Sequence, residues 1–271
     1  MTKWSGLGMV GFWPQVDTYL TTWINNGFID LRLDIPDYQY APVLAQSKAH
    51  VLRAIDAGAR VIWGVSSNSF NNSAYTITAA NWSLFRQAVL NAAQWAQDNG
   101  VYEFQIGNEE ESHNDDTTLT DTQLRNNLKS LATEVKAIFT NGNVSYSCRA
   151  LDIDNWVSLG KGDIDILAGN IYRGAGSSYN DDWKAHITNL VNAFGADGTY
   201  ITEFNLSASS LDDYSTDEAV QAEALTEMIE YIKDSGITRA LYFVWQSDNH
   251  GVVKNDGTYR LLWQSLLNSD N

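Results

Sequence analysis

Two glutamates stand where charge is costly. Glu109 follows the run Gln105-Ile106-Gly107-Asn108, and Glu203 lies inside Tyr200-Ile201-Thr202-Glu203-Phe204-Asn205. A carboxylate at the end of an otherwise apolar stretch must be solvated, paired or used. Two carboxyls held ~5 to 5.5 Å apart can share the breaking of an acetal, one protonating the departing oxygen and the other attacking carbon; a wider gap suits direct attack by water. The ordinary alternative for either acid is an ion pair with Arg or Lys. Glu110 and Glu111 follow at once. Their negative charge would raise the pKa of Glu109, and a register shift would make one of them the acid instead.

The elements that must position these acids alternate along the chain. Strands are expected at Gly8–Phe12, Phe28–Ile35, Arg60–Ser66, Tyr102–Asn108, Val144–Arg149, Asp165–Tyr172, Tyr200–Phe204 and Ala240–Gln246. Helical patterns separate them, such as Asn81–Asp98, where Trp82, Phe85, Val89, Ala92 and Ala96 recur at helical spacing, and Glu218–Lys233. Gly27, Gly58, Gly100, Gly142, Gly160, Gly195 and Gly236 each precede the next strand by a few residues, the signature of tight turns from helix to strand. The segments after strands are longer and more polar: Ser67–Thr78, Glu110–Thr120, Arg173–Asn180, Leu206–Thr216 and Ser247–Tyr259. Short turns on one rim and elaborated loops on the other predict a closed (β/α)8 TIM barrel of the α/β class whose working face lies at the strands' C-terminal ends. No Gly-x-Gly-x-x-Gly follows a strand, which argues against an open doubly wound sheet. The 271 residues suffice for one such domain, spanning 1–271, and not for two.

Composition narrows the partners. The net charge of −16 disfavours nucleic acid, and no apolar run reaches the ~20 residues of a membrane span. The 10 Trp and 13 Tyr supply flat apolar faces on which sugar rings stack, although large barrels also bury aromatics in their cores. Cys148 is the only cysteine, so an intramolecular disulfide and a thiolate metal site are excluded. The first strand is expected within about ten residues of Met1, leaving no room for a secretory signal. The expectation is a secreted protein whose signal has been removed, with a cytoplasmic one as the alternative. The Asn-x-Ser/Thr sequences at Asn71, Asn81, Asn143 and Asn205 fit chance in a chain rich in Asn and Ser.

On these residues the chain resembles clan A of the glycoside hydrolases, retaining (β/α)8 enzymes with the acid/base after strand four and the nucleophile after strand seven. Asn108-Glu109 is similar to the clan's Asn-Glu pair, in which Glu is the acid/base and Asn holds the substrate's 2-hydroxyl; Thr202-Glu203-Phe204 is similar to its nucleophile strand. The resemblance implies that Arg32 hydrogen-bonds the nucleophile, that Tyr172 contacts it, and that Trp245 forms the aromatic floor beneath the sugar at the cleavage point. Arg32 could equally be a structural ion pair, and Tyr172 and Trp245 packing residues. The cellulase-like and mannanase-like branches carry a histidine near the end of strand three and His-x-Tyr on strand six, whereas this chain has Val65-Ser66-Ser67-Asn68 and Asn170-Ile171-Tyr172. Asn170 in this place resembles branches acting on β-1,3-glucan or related to β-galactosidase.

Further candidates for sugar contact are Trp13 after strand one, Trp63 on strand three, which could equally be core, and His250 after strand eight, which could equally be solvated. Asn255-Asp256-Gly257 marks a tight turn in the strand-eight loop. Asp152, Asp154, Asp163 and Asp165 do not have calcium-loop spacing, and no metal or cofactor is expected. The resulting expectation is a monomeric retaining glycosidase acting endo on a β-glucan, mannan or xylan. The alternatives are an exo-acting β-glycosidase, a transglycosylase, a catalytically dead carbohydrate-binding barrel, and a barrel acting on phosphorylated sugars; against the last, no glycine-rich phosphate cradle follows strands seven and eight.

Overall fold

The structure, a computed structural model, describes residues 6–11, 13–33, 38, 41–67, 77–113, 118–174, 182–206, 217–246 and 251–269. Eight parallel strands close on themselves in chain order. They are β1 (Gly6–Gly11), β2 (Asp30–Leu33), β3 (Arg60–Gly64), β4 (Glu103–Asn108), β5 (Asn143–Arg149), β6 (Ile166–Arg173), β7 (Ile201–Leu206) and β8 (Arg239–Tyr242), and β1 pairs with β8 to seal the ring. Around them run α1 (Trp13–Asn25), α2 (Ala41–Asp56), α3 (Trp82–Asp98), α4 (Asp121–Lys136), α5 (Ile153–Leu159), α6 (Trp183–Phe194), α7 (Glu218–Asp234) and α8 (Leu262–Asn268). The expected (β/α)8 barrel is what the chain forms. No described helix is long and apolar enough to cross a membrane.

Helix ends follow the sequence. Thr120 caps α4 in a reciprocal box with Gln123, and the Asp217 carboxylate accepts from the first amides of α7. Of the glycines in helix-to-strand turns, Gly27 and Gly58 have φ of 87° and 91°, conformations a side chain rarely adopts. Gly142 serves differently, since a Cβ there would collide with the Tyr102 carbonyl. The expected turn at Asn255-Asp256-Gly257 is present, with Gly257 N–H donating to the Lys254 carbonyl at 2.9 Å.

Side chains alternate between two layers. Outward-facing residues of the strands meet the helices: Trp63 of β3 packs on Trp95 and Phe104, and its indole N–H donates to Ser47 Oγ of α2 at 2.8 Å. Inward-facing residues reach one another across the barrel, joining strands that are not neighbours. At the N-terminal end the Arg239 guanidinium of β8 binds the Glu103 carboxylate of β4, and Tyr200 Oη donates to the same carboxylate at 2.6 Å while its ring lies 3.9 Å beneath Arg239. This buried plug closes the floor. The opposite end carries the acids.

Candidate active site

Glu203 points into the barrel from β7. Arg32 Nη1 of β2 lies 2.5 Å from its Oε1, Tyr172 Oη of β6 donates to its Oε2, and the residue is only 8% exposed. Arg32 is itself held, because its Nε donates to Gln105 Oε1 of β4 at 3.0 Å. Both oxygens of Glu203 therefore have donors, one cationic, an arrangement that fixes its rotamer. Burial, and then the charge of Glu203, push the Tyr172 hydroxyl well above its usual range, so it remains a donor.

Glu109 follows the last residue of β4 with φ of 55°, the left-handed region that costs a side-chain-bearing residue energy and persists only where its surroundings insist on it. They do. Its N–H donates to the Ser147 carbonyl of β5 at 2.8 Å, and the next residue is tied on both sides. Glu110 N–H donates to Tyr146 Oη at 2.9 Å, while the Glu110 carboxylate accepts from Asn108 N–H at 3.0 Å and from the backbone and hydroxyl of Ser67. Ser67 stands near the end of strand three, where the cellulase-like pattern has histidine, and here it anchors the turn that presents Glu109.

Asn170 of β6 orients the Glu109 carboxyl. Its Nδ2 donates to Glu109 Oε1 at 2.8 Å and to Asn108 Oδ1 at 3.1 Å, while its Oδ1 accepts from Ser147 Oγ and Thr202 Oγ1, each at 2.8 Å. The carbonyl end faces these two hydroxyls, which also contact each other, and the N–H2 end faces Glu109 and Asn108. Burial, then the charge of Glu203, raise the Glu109 carboxyl to about 7; the Asn170 bond and the charges of Arg32 and Arg149 pull the other way. The site therefore holds one carboxyl disposed to keep its proton near neutrality and one held by a cation.

The neighbouring acids face elsewhere. Glu110 is fully buried against Ser67 and Asn108, and burial raises it to about 7. Glu111 lies among Arg125, Trp156 and Tyr146, with Arg125 Nε at 3.1 Å and the Trp156 indole N–H at 2.7 Å from its Oε1. Arg125 continues to Asp152 at 3.0 Å, which also accepts from Arg149 at 2.7 Å. Of the three consecutive acids, Glu109 is the one hydrogen-bonded to Asn170, while Glu110 and Glu111 are engaged by Ser67 and Arg125.

Of the expected site residues, the structure brings together Glu109, Glu203, Arg32, Asn108, Asn170 and Tyr172. Two expectations are corrected. Trp63 is not a stacking platform, being wholly buried between the strands and α2 and α3. Trp245 is not an aromatic floor: it lies three residues past the end of β8, wholly buried, with its ring against Tyr19 and Trp23 of α1 and Trp263 of α8. Phe243, just past the end of β8, is one ring removed from Glu203, its ring meeting that of Tyr172 edge to face at 6.1 Å between centroids. Trp13 opens α1, but its side chain lies outside the described residues, as does His250. Residues that motif reading passed over are Gln105, Ser147, Thr202 and Arg149. Gln105 was legible in principle, since it shares the inward parity of Glu103 on β4. No group of described residues has the arrangement of a metal site.

No protein-family model matches the chain, and no curated protein matches it in sequence. Solved structures share its fold. A GH113 β-1,4-mannanase superposes with a TM-score of 0.68 at 13% identity, covering 98% of this chain and 97% of that one. Cel5A of Thermotoga maritima, solved in complex with cellobiose, gives 0.68 at 13% identity over 98% and 97%. A GH10 endoxylanase from a sugarcane soil metagenome gives 0.66 at 9% identity over 98% and 96%. These solved structures share the (β/α)8 barrel fold with this chain over nearly its whole length.

Proposed function

We propose that the chain is a retaining β-glycosidase, with Glu109 as acid/base and Glu203 as nucleophile, acting endo on a β-linked polysaccharide. The observation that carries this reading is the unequal treatment of two carboxyls in one chamber. Glu203 receives Arg32 and Tyr172, while Glu109 is desolvated, faces the charge of Glu203 and is raised to about 7. A carboxyl raised to about 7 beside one held by a cation suits the two to the separate roles of proton donor and nucleophile.

The chemistry follows from those roles. Glu203 attacks the anomeric carbon as Glu109 gives its proton to the glycosidic oxygen, the C–O bond breaks, and the leaving sugar departs with that proton. The glycosyl ester on Glu203 is then opened by water, whose proton passes to Glu109, restoring both groups. Because Asn170 donates to Oε1 of Glu109, the acid's proton sits on Oε2. Arg32 and Tyr172 hold the Glu203 carboxylate still for attack and stabilise it when it leaves again. Phe243, packed edge to face on Tyr172, offers an apolar ring for the sugar.

Reducing-sugar release from β-1,3-glucan, mixed-linkage glucan, carboxymethyl-cellulose, mannan, xylan and galactan, compared between the wild type and Glu203→Gln, tests the reading. Activity on one polymer that is lost in the variant supports it. A wild type inert on every polymer and on aryl β-glycosides overturns it.

A further inference from the structure

Arg149 closes β5 and lies opposite Asn170 in the β5–β6 register, one strand from the turn that presents Glu109. Its guanidinium is held from one edge only. Nε donates to Asp152 Oδ2 at 2.7 Å, and Asp152 is anchored independently by Arg125 through its other oxygen at 3.0 Å. The two terminal Nη groups have no partner among the described residues, and the side chain is 34% exposed. Arg32 is committed to Glu203 and Gln105, and Arg173 is turned to Glu227 and the Ala224 carbonyl through Nη1. Arg149 is therefore a guanidinium fixed at one edge beside the proton donor, whose charge it feels, with no carboxylate or carbonyl of the described residues hydrogen-bonded to its Nη groups.

What lies beside a proton donor is dictated by the chemistry. The anomeric carbon must sit against Glu203 and the glycosidic oxygen against Glu109, so the sugar on the far side of that oxygen, the one that leaves, extends past Glu109. We propose that Arg149 is a specificity residue for the leaving sugar, its Nη groups donating to two adjacent acceptor oxygens of that sugar. A planar fork matches paired oxygens better than a point charge does. Vicinal hydroxyls and a carboxylate both present such a pair.

This inference rests on the glycosidase reading, and the test separates the two. Wild type, Arg149→Met and Arg149→Lys are compared on oligosaccharides of the polymer that the wild type cleaves and on the matching 4-nitrophenyl β-glycoside, which has no leaving sugar. A charge-assisted pair of hydrogen bonds corresponds to a loss of about ten- to hundredfold in kcat/KM on the oligosaccharide for Arg149→Met. The aryl glycoside should lose less than the oligosaccharide, because it keeps only the effect of the Arg149 charge on Glu109 and has no leaving sugar, and Arg149→Lys should fall between. The urea midpoint should stay close to wild type, because Asp152 keeps Arg125. A greater loss on glucuronic-acid-bearing fragments than on neutral ones marks a carboxylate, and equal losses mark hydroxyls. Equal losses on oligosaccharide and aryl glycoside, or no loss on either, overturn the proposal while leaving the glycosidase intact. A wild type that cleaves neither substrate overturns both.

Discussion

The pairing of Arg32 with Glu203 predicts a large and non-additive response to substitution. The two groups are 2.5 Å apart, with side chains 4% and 11% exposed, so neither charge has water to fall back on. Removing one partner of a buried pair costs about 3–5 kcal/mol, since the other charge is left desolvated. Arg32→Met also takes the donor from Gln105 Oε1, which adds about 1 kcal/mol. We expect Arg32→Met to lower unfolding free energy by about 4–6 kcal/mol. Glu203→Gln keeps an acceptor for Arg32 and should cost about 2–3 kcal/mol. In the double variant no charge is stranded, so its loss should fall short of the sum by at least about 2 kcal/mol. Urea unfolding followed by tryptophan fluorescence measures all four corners of the cycle, with an unchanged denaturant slope as the control that the unfolded states are comparable. Additivity to within about 0.5 kcal/mol would mean that the charges do not depend on each other, and the account of how Glu203 is held would fail.

Other outcomes follow from the same geometry. Activity should fall as pH rises through about 7, where Glu109 loses the proton that burial and Glu203 help it keep; in Glu203→Gln its carboxyl, followed by 13C NMR, should titrate at lower pH, and an unmoved or raised midpoint refutes the coupling. Glu110 is raised from 4.5 to about 7, so the folded chain binds more protons than the unfolded one between those values and loses stability as pH rises through that window. Glu110→Gln should flatten that decline in urea titrations at several pH values; an equally steep decline would show that Glu110 contributes nothing to it. Glu109→Ala should slow hydrolysis of natural glycosides by about 10²- to 10⁴-fold while sparing formation of the glycosyl enzyme from aryl glycosides with good leaving groups, a split that pre-steady-state release of the phenol measures. Trp245→Ala should destabilise by about 3–5 kcal/mol, whereas Phe243→Ala should raise KM with a smaller effect on stability. The reverse pattern would restore Trp245 as the floor.

How much of this was readable beforehand depends on which residues are judged by pattern and which by endpoint. The barrel was legible because eight strand runs alternate with amphipathic helices and glycine punctuates the return turns, all of them local signals. Glu109 and Glu203 were legible because a carboxylate at a strand's end is an energetic anomaly. Trp245 shows where such reading stops. On β8 the inward set begins at Arg239, which reaches Glu103 inside the barrel, and period two carries it through Leu241 to Phe243 and on to Trp245. Parity alone therefore cannot separate Phe243 from Trp245. The hydrogen-bonded strand ends at Tyr242, so Phe243 is the last residue whose direction the ladder still governs, and Trp245 has already turned out among α1 and α8. The same holds for Asn170: its place on β6 was visible, but not that Ser147 and Thr202, from the two flanking strands, would hold its carbonyl end while its amide N–H2 faces Glu109. Parallel pairing sets β5, β6 and β7 side by side, and that adjacency, which no short window along the chain contains, converts a polar strand residue into the group that orients the acid.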